Sequence, residues 1–470
     1  MKIRHGDKFI AHSLLVFGSQ TLVVLTGLVK ALVVPVLLGV SDFAYWQLYV
    51  FYTVYVGLFT LGHNDGIYLK YGGYRFEDLP FAKLRASNAM HAVLLILGMA
   101  LVALMAATAS DPLRKIVFFA IAANIPVIGI AGNISLSLQA VNRIKDFAFL
   151  NAADKIFFSV ALFALFYPEM RTFWFLILID LVSKTSVLVA LLFRYRQLYA
   201  GSFEGIAPAL LEFRGNLRSG FQLMVANLSG MLVLGIGRII IEYWGSLDGY
   251  SYYAFATSVA GIVLMSVTAM SVTIYPILKL QGKSSYSYFF EQANSAYLVF
   301  ALGALISYFM AAAFIILVAT SYAPVLEFLN VVFAITVLQG KMQLVNNTFY
   351  KALRLEGAML WANLTSLLIA SALSLLGYKL TGSVLSIAYA TLLTMVLRVY
   401  ASEIFLRRHM ESPRSYRPLL EIALLTGFLA LTSFASPIAG CFAWLSVVVL
   451  AMLIWRAQIM VTVRKLWQRA

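Results

Sequence analysis

Seven basic residues lie inside otherwise apolar stretches of the sequence, and they are its first chemical signal. They are Lys30, Lys155, Lys184, Arg238, Lys341, Arg398 and Arg456. A charge in the hydrocarbon of a bilayer is expensive and usually faces the interior of a helix bundle or a watery cavity. The guanidinium of Arg and the ammonium of Lys are both suited to binding phosphate or carboxylate groups. Each of the seven residues is therefore a candidate for a functional site.

Two of these cations are the main candidates for lining a cavity. Lys30 lies roughly 14 Å from the outer end of its predicted helix, near the middle of a bilayer, and no acid stands three or four residues away. It either lines a cavity or pairs with an acid on another helix. Arg238 has Glu242 four residues further on, a spacing that also allows a surface ion pair.

The predicted fifth and sixth spans each contain one acid–base pair. Asp154 precedes Lys155 directly, and Asp180 precedes Lys184 by four residues. These groups could simply neutralise one another between neighbouring helices. Alternatively, one carboxylate binds H⁺ or Na⁺ when its lysine moves away, because burial can raise a carboxylate pKa towards physiological pH. No other cofactor is expected.

Polar and aromatic residues near the second span add a further candidate site. Tyr45, Tyr49 and Tyr52 share a helix face. Tyr49 and Tyr52 lie deep enough in the membrane to stack on the sugar rings of a substrate. Tyr45 is explained equally well by a belt of aromatic residues at the membrane interface. Asp65 lies in the segment GHNDG and belongs either to a cavity or to a turn at a helix end. For Lys341, Arg398 and Arg456 we expect side chains that reach the headgroups at the membrane surface.

The composition indicates an all-α polytopic membrane protein. Of the 470 residues, 62% are apolar and 12% are charged, against about one quarter charged in ordinary soluble domains. About fourteen stretches are long enough to span a bilayer. The net charge of +15 reflects orientation, because about 24 basic residues fall in alternate segments on one side and about four on the other. Both termini are therefore predicted to be cytoplasmic, and no nucleic-acid partner is expected.

Several functions are disfavoured by what the sequence lacks. Cys441 is the single cysteine, so neither a disulfide within the chain nor a cysteine metal cluster is possible, and no metal site is predicted. The nucleotide-binding pattern GxxxxGK[ST] does not occur. The outer loops are short and carry no clustered acids, histidines or arginines that could serve as catalytic residues. We therefore expect a protein that is not an enzyme.

The chain also shows signs of internal duplication. Its longest polar break, residues 194–219, follows six predicted spans, and several segments recur across it at an offset of roughly 205–213 residues. This predicts a six-helix lobe over 1–200, a second over 201–405 and two additional helices over 406–470. Because six is even, the two lobes form a parallel repeat, with Lys30 and Arg238 in equivalent first helices. Transporters of this design hold substrate between the halves and rock them.

The sequence resembles the polysaccharide-transport branch of the multidrug/oligosaccharidyl-lipid/polysaccharide exporter superfamily. The resemblance lies in residues 37–73 and 221–241 and in the arrangement of predicted spans as six, six and two. The resemblance implies a bacterial inner-membrane flippase for undecaprenyl-pyrophosphate-linked oligosaccharides in O-antigen or capsule synthesis. It implies a cationic cavity between the lobes, membrane lipids as neighbours, and a polymerase and a chain-length regulator as partners. One departure is Gly237, which precedes Arg238 where relatives often carry an acid.

Two other functions remain open. An ion-coupled exporter of small molecules from the same superfamily would have an acidic cavity, and a membrane-embedded polymerase would affect glycan chain length. The residues predicted to contact substrate are Lys30, Arg238, Tyr49, Tyr52 and Asp65.

Overall fold

The regular structure of the chain is helical throughout the part that the computed structural model describes, residues 5–279, 285–413 and 415–467. The α-helices, in chain order, are α1 (His5–Val54), α2 (His63–Lys70), α3 (Phe81–Ala107), α4 (Pro112–Ala140), α5 (Ile144–Ala161), α6 (Phe173–Arg194), α7 (Ile206–Trp244), α8 (Leu247–Lys279), α9 (Tyr286–Ala304), α10 (Ile306–Leu317), α11 (Leu329–Lys341), α12 (Asn347–Ala352), α13 (Glu356–Thr381), α14 (Val384–His409), α15 (Arg417–Phe434) and α16 (Pro437–Trp467). Short 3₁₀ helices include Tyr55–Thr60 and Thr320–Glu327. The prediction of an all-α fold is confirmed.

Eleven helices among the described residues are long and apolar enough to cross a membrane. A twelfth span is added if the bent pair Thr320–Glu327 and Leu329–Ala352 counts as one. The predicted fifth span, residues 147–167, is not among them, because α5 carries four charged residues within 18. The other difference from the fourteen predicted spans lies in α1, which contains the first two. The chain is thus a multi-pass membrane protein.

Gly39 divides α1 at the place where the sequence predicts a break between two spans. The helix has 50 residues, which at 1.5 Å per residue is about 75 Å and more than twice the thickness of a bilayer core. Gly39 has φ 77° and ψ 176°, outside the helical region. A side chain there would have open space around it, so the backbone conformation, and not packing, requires glycine.

Met1–Leu228 forms one compact unit, unit 1, and Ser229–Ala470 forms another, unit 2, so α7 contributes to both. The predicted boundaries at 200 and 405 remain a prediction. In unit 1, α3 packs beside α4, and α1 contacts α4, α5 and α6. In unit 2, α13 packs beside α14, and α11 contacts α8, α14 and α15.

Within unit 1, α2 crosses α7 at a backbone-to-backbone contact. A Cβ atom on Gly66 would lie 2.0 Å from the carbonyl oxygen of Asn216, and one on Gly220 would lie 2.0 Å from the carbonyl oxygen of Gly62. Gly62 and Gly66 are four residues apart, the small-residue spacing that allows membrane helices to approach closely. This contact fixes the position of the residues between them.

The far end of α2 is tied to the same part of α7 by Glu212. Lys70 Nζ donates to Glu212 Oε2 over 2.6 Å, and Tyr71 Oη donates to Glu212 Oε1 over 2.7 Å. Burial and the neighbouring carboxylate raise the pKa of Tyr71, so its phenol stays protonated and remains a donor. The short helix α2 is thus held against α7 at both ends.

The two helices after residue 406 are integrated into unit 2. In α16, the indole nitrogen of Trp444 donates to the carbonyl oxygen of Leu302 over 3.0 Å, and α15 contacts both α11 and α16. Before them, the bent pair turns by 68°, and a single π-helical turn, Met342–Asn346, follows α11. Isolated π turns of this kind often occur at functional sites.

Candidate functional site

A cavity of about 190 Å³ lies in unit 1 between the 3₁₀ helix Tyr55–Thr60, α2, α4 and α7. Thr60, Asn64 and Asn227 contribute polar groups to its wall, and the remaining lining residues other than Asp65 are glycines and apolar residues. Asp65 is the one charged residue among the described residues that line it. The predicted site residue Asp65 therefore faces a cavity and also belongs to a helix end.

The position of Asp65 follows from the local backbone. Gly62 precedes α2 with φ 86°, a left-handed conformation that glycine adopts without strain, and Asp65 then lies in the first helical turn. Its carboxylate accepts a hydrogen bond from its own backbone N–H. Burial outweighs that bond and raises the pKa of Asp65 to about 6. Asp65 can therefore exchange a proton close to neutral pH.

Buried amides hold the residues beside Asp65. Asn64 Nδ2 donates to the carbonyl oxygen of Gly129 over 3.0 Å, and Asn133 Nδ2 donates to Asn64 Oδ1 over 3.1 Å. The hydroxyl of Tyr199 in turn donates to Asn133 Oδ1 over 3.0 Å. His63 is hydrogen-bonded to Ser87 over 2.9 Å. The residues beside Asp65 are thus held in place by hydrogen bonds to α4 and to Ser87.

A second polar site in unit 1 is centred on Asp180 of α6. Tyr49 of α1 donates a 2.6 Å hydrogen bond to Asp180 Oδ2, and Lys184 forms an ion pair with the same oxygen. Asn124 Nδ2 donates to the Tyr49 hydroxyl over 2.6 Å. Tyr49 is fully buried, so its ring is not open to a sugar as the sequence suggested.

Lys30 lies close to this site. Its ammonium lies 3.6 Å from the ring centroid of Phe158 and 5.9 Å from that of Trp46, a cation–π arrangement. Asp180 is the main opposite charge acting on it, with Asp154, Lys155 and Lys184 as the other charges.

Asp154 and Lys155 pair with each other over 2.5 Å. We call Lys30, Asp154, Lys155, Asp180 and Lys184 the α1–α5–α6 charge cluster. With three lysines and two aspartates it has a formal charge of +1.

The other predicted contact residues lie elsewhere. Tyr52 packs against Phe51 and Phe118, with ring centroids 5.2 and 5.5 Å away. Arg238, in the part of α7 that belongs to unit 2, donates to the carbonyl oxygen of Ala254 over 3.4 Å and to the hydroxyl of Thr257. The structure thus brings Lys30 and Tyr49 together with the two acid–base pairs, and Asp65 stands in the cavity without them.

Lys341 and Arg398 are buried, and the prediction that they reach the membrane surface is wrong. Lys341 is 2% exposed and pairs with Glu403 and Glu421. Arg398 is 4% exposed, and its Nη2 donates to Asn363 Oδ1 over 2.6 Å. Partners on other helices hold both side chains inside unit 2. The side chain of Arg456 lies outside the described residues. No three His, Cys, Asp or Glu in the described part of the chain are grouped to hold a metal ion.

No protein-family model and no curated protein matches the sequence. Solved structures do match. The chain is similar to the MATE multidrug transporter DinF-BH in complex with R6G, with a TM-score of 0.61 and 13% identity over 86% of this chain and 96% of that one. A second structure, described as protein A, matches with a TM-score of 0.60, 13% identity and the same coverage. The chain has the fold of a MATE transporter.

The MATE fold confirms the predicted membrane architecture of two lobes of repeated helices. At 13% identity the likeness concerns the fold alone. The polysaccharide-transport branch therefore remains a prediction.

Sequence reasoning missed the cluster that surrounds Lys341, because its partners Glu403 and Glu421 are 62 and 80 residues away. Helical spacing alone could not have found them.

Proposed function

We propose that this protein is an ion-coupled exporter of small organic cations. The observation that carries the proposal is the cavity of unit 1, in which Asp65 is the one charged residue among the described lining residues. A carboxylate in a largely apolar wall favours a cation with apolar groups, because its charge is neutralised while the apolar parts are removed from water. The same wall would repel a phosphate.

Asp65 also provides a way to couple transport to protons. Because burial raises the pKa of Asp65 to about 6, its carboxylate holds either a proton or a cation under mild conditions. Binding of one then opposes binding of the other. In an alternating-access cycle, proton entry from outside would release the cation there, and proton loss on the inside would restore the site.

The α1–α5–α6 charge cluster is better suited to a structural role than to coupling. Asp180 and Asp154 are each already paired with a lysine, whereas Asp65 forms no ion pair with a described residue. We therefore assign the exchangeable proton to Asp65. The cluster, including Lys30, would hold α1, α5 and α6 together.

Transport of R6G in liposomes tests the proposal. The multidrug transporter of similar fold was solved in complex with R6G, which makes that compound a suitable probe. Purified protein in liposomes should move R6G when a pH gradient is imposed, and Asp65→Asn should abolish this movement. Asp78→Asn is the matched control, because Asp78 is exposed in the short 3₁₀ helix between α2 and α3. Equal transport by D65N and the unaltered protein would refute the proposal. Transport driven by a Na⁺ gradient in place of the pH gradient would refute the assignment of a proton as the coupled ion.

A flippase for undecaprenyl-pyrophosphate-linked oligosaccharides is the second candidate, and Arg398 favours it. Among the described residues, the guanidinium has only uncharged partners, which are Asn363 at 2.6 Å, Gln339 at 3.3 Å and the sulfur of Met395 at 3.8 Å, and its Nε lacks one. A buried guanidinium without a carboxylate is suited to an anionic group. In this case the protein would lie in a bacterial inner membrane and work beside a polymerase and a chain-length regulator.

Complementation separates the two candidates. If this protein is a flippase, it should restore the surface glycan in a bacterial strain that lacks its own flippase. The Arg398→Gln variant should then fail to restore the glycan, and the unaltered protein should not transport R6G. Export of R6G without restored glycan would support the organic-cation exporter.

A further inference from the structure

Unit 2 contains a buried charge cluster that serves none of the roles described above. Lys341 at the end of α11 contacts Glu403 Oε2 of α14 over 2.7 Å and Glu421 Oε2 of α15 over 2.5 Å. Arg407 pairs with Glu403 and with Glu291 of α9, and Arg417 pairs with the same Glu291. Three basic and three acidic residues therefore meet, with a formal charge of zero.

The two carboxylates beside Lys341 differ in how completely they are hydrogen-bonded. Glu403 uses both oxygens, because its Oε1 accepts from Arg407 Nε and Nη2 over 3.0 and 2.7 Å. Glu421 Oε2 accepts from Lys341 and from the Tyr400 hydroxyl, the latter over 3.0 Å. Glu421 Oε1 is buried and accepts from none of the described residues. An unsatisfied buried carboxylate oxygen is costly.

A small cavity adjoins this carboxylate. Its volume is about 30 Å³, and its wall includes Glu421, Lys341, Tyr400 and Tyr297 among leucines and other apolar residues. A space of about 10–15 Å³, measured in this way, holds one water molecule. The cavity can therefore hold a water next to Glu421, which is only 6% exposed.

We propose that Glu421 is a proton-binding site, with the proton carried on Oε1 and donated in a hydrogen bond to a water in the adjoining cavity. A hydronium ion in the cavity gives up one proton, the Oε1–H bond forms, and neutral water remains as acceptor. The charge of the cluster rises from zero to +1. Lys341 retains Glu403 as its counter-ion, so no ammonium is left unpaired.

Groups on three helices face Glu421 and set its proton affinity. Lys341 from α11 and the hydroxyl of Tyr400 from α14 stabilise the ionised form of Glu421, whereas the negative charge of Glu403 disfavours it. Tyr297 from α9 lies in the cavity wall, and its hydroxyl donates to the carbonyl oxygen of Val337 over 2.5 Å. Opposing influences of this kind allow a proton to be gained or lost with a modest change in surroundings.

The position of the site gives proton binding a structural consequence. Lys341 is the last residue of α11, and the π-helical turn Met342–Asn346 follows directly. Protonation of Glu421 removes the charge from one of the two carboxylates that hold Lys341, and so weakens the tie between α15 and the end of α11. α15 thus provides a proton-sensitive contact to a bent span. This proposal does not depend on the proposed exporter function.

Infrared difference spectroscopy of the full-length protein in lipid nanodiscs tests it without any transported substrate. As the pH is lowered, carboxylic-acid C=O absorption should appear, and Glu421→Gln should remove one component of it while the components from Asp65 and the surface carboxylates remain. Glu403→Gln is the matched control. It lies beside the same lysine, and the loss of its charge should leave the Glu421 component in place with its midpoint at lower pH. Identical titration difference spectra for E421Q and the unaltered protein would overturn the proposal.

A second variant keeps the test decisive if E421Q does not fold. Tyr400→Phe removes a donor to the carboxylate of Glu421, so the midpoint of the titration should move to higher pH. An unchanged midpoint in Y400F would contradict the assignment of the component to Glu421. Because Asp65→Asn should remove a different component and leave that of Glu421 intact, failure here is distinguishable from failure of the proposed exporter function.

Discussion

Tyr49 donates a 2.6 Å hydrogen bond to Asp180 although 131 residues separate them. The contact joins α1 to α6 inside unit 1, and the ion pair of Asp180 with Lys184 adds to it. With Lys30 also close to Asp180, one buried carboxylate stabilises two lysines. The structure of unit 1 therefore depends on Asp180 more than on any single lysine of the cluster.

Asp180→Ala should destabilise the protein strongly, because it leaves Lys184 and Lys30 without their nearest opposite charge. Breaking a buried ion pair from one side typically costs about 3–5 kcal/mol. Denaturant unfolding of the protein in detergent measures the loss. The double variant D180A/K184A should lose less than the sum of the single variants. A D180A loss within about 0.5 kcal/mol of zero, typical of a neutral surface change, would contradict the role given to Asp180.

Gly66→Ala should prevent α2 from packing against α7. The added Cβ would lie 2.0 Å from the backbone oxygen of Asn216, and backbone cannot move aside as a side chain can. Gly215→Ala, next to Asn216, meets nothing within 4 Å and should be neutral or stabilising by up to about 1 kcal/mol. Size-exclusion profiles and thermal unfolding compare the two variants. Equal behaviour would show that the α2–α7 contact is looser than described.

Gly39→Ala should cost about 1–3 kcal/mol through backbone strain alone, since φ is 77° and the space is open. Gly427→Ala, within α15 and also in open space, is the control and should not destabilise. Denaturant unfolding in detergent compares both variants with the unaltered protein. A G39A protein as stable as the control would mean that α1 continues through residue 39 as a regular helix.

The features that depend on local sequence were predictable. The membrane class, the break in α1 and the importance of buried charges all follow from hydropathy, glycine and residue type. The surroundings of Lys341 were not, because a sequence displays neighbours three or four residues away, whereas Glu421 is 80 residues away. A lone lysine in an apolar stretch was therefore interpreted as reaching the headgroups when it is fully paired.

The surroundings of Asp65 could be predicted only in part from the sequence. Its position between glycines indicated a turn, and α2 does begin there. The cavity, however, is formed only when α4 and α7 pack against that turn. The basic residues inside the predicted spans favoured an anionic substrate, but none of them is among the described residues that line this cavity.

Affinity for R6G should depend on pH through Asp65. Above pH 6 the side chain is a carboxylate and binds a cation, and below its pKa of about 6 it is neutral. Affinity should therefore be constant at higher pH and fall by about tenfold for each pH unit below that value. Fluorescence titration with R6G measures the profile. In D65N binding should be weak at every pH, and a profile unchanged by D65N would contradict the assignment.

The most direct test of the central claim is the release of protons when R6G binds. Purified protein in weakly buffered detergent solution, at a pH just below 6, is mixed with R6G while a pH indicator is monitored. Competition for Asp65 predicts the release of roughly half a proton per R6G bound at this pH, because about half of the free sites carry a proton there, and none in D65N. Binding of R6G without proton release, or equal release by D65N, would contradict exchange of a proton for an organic cation at Asp65.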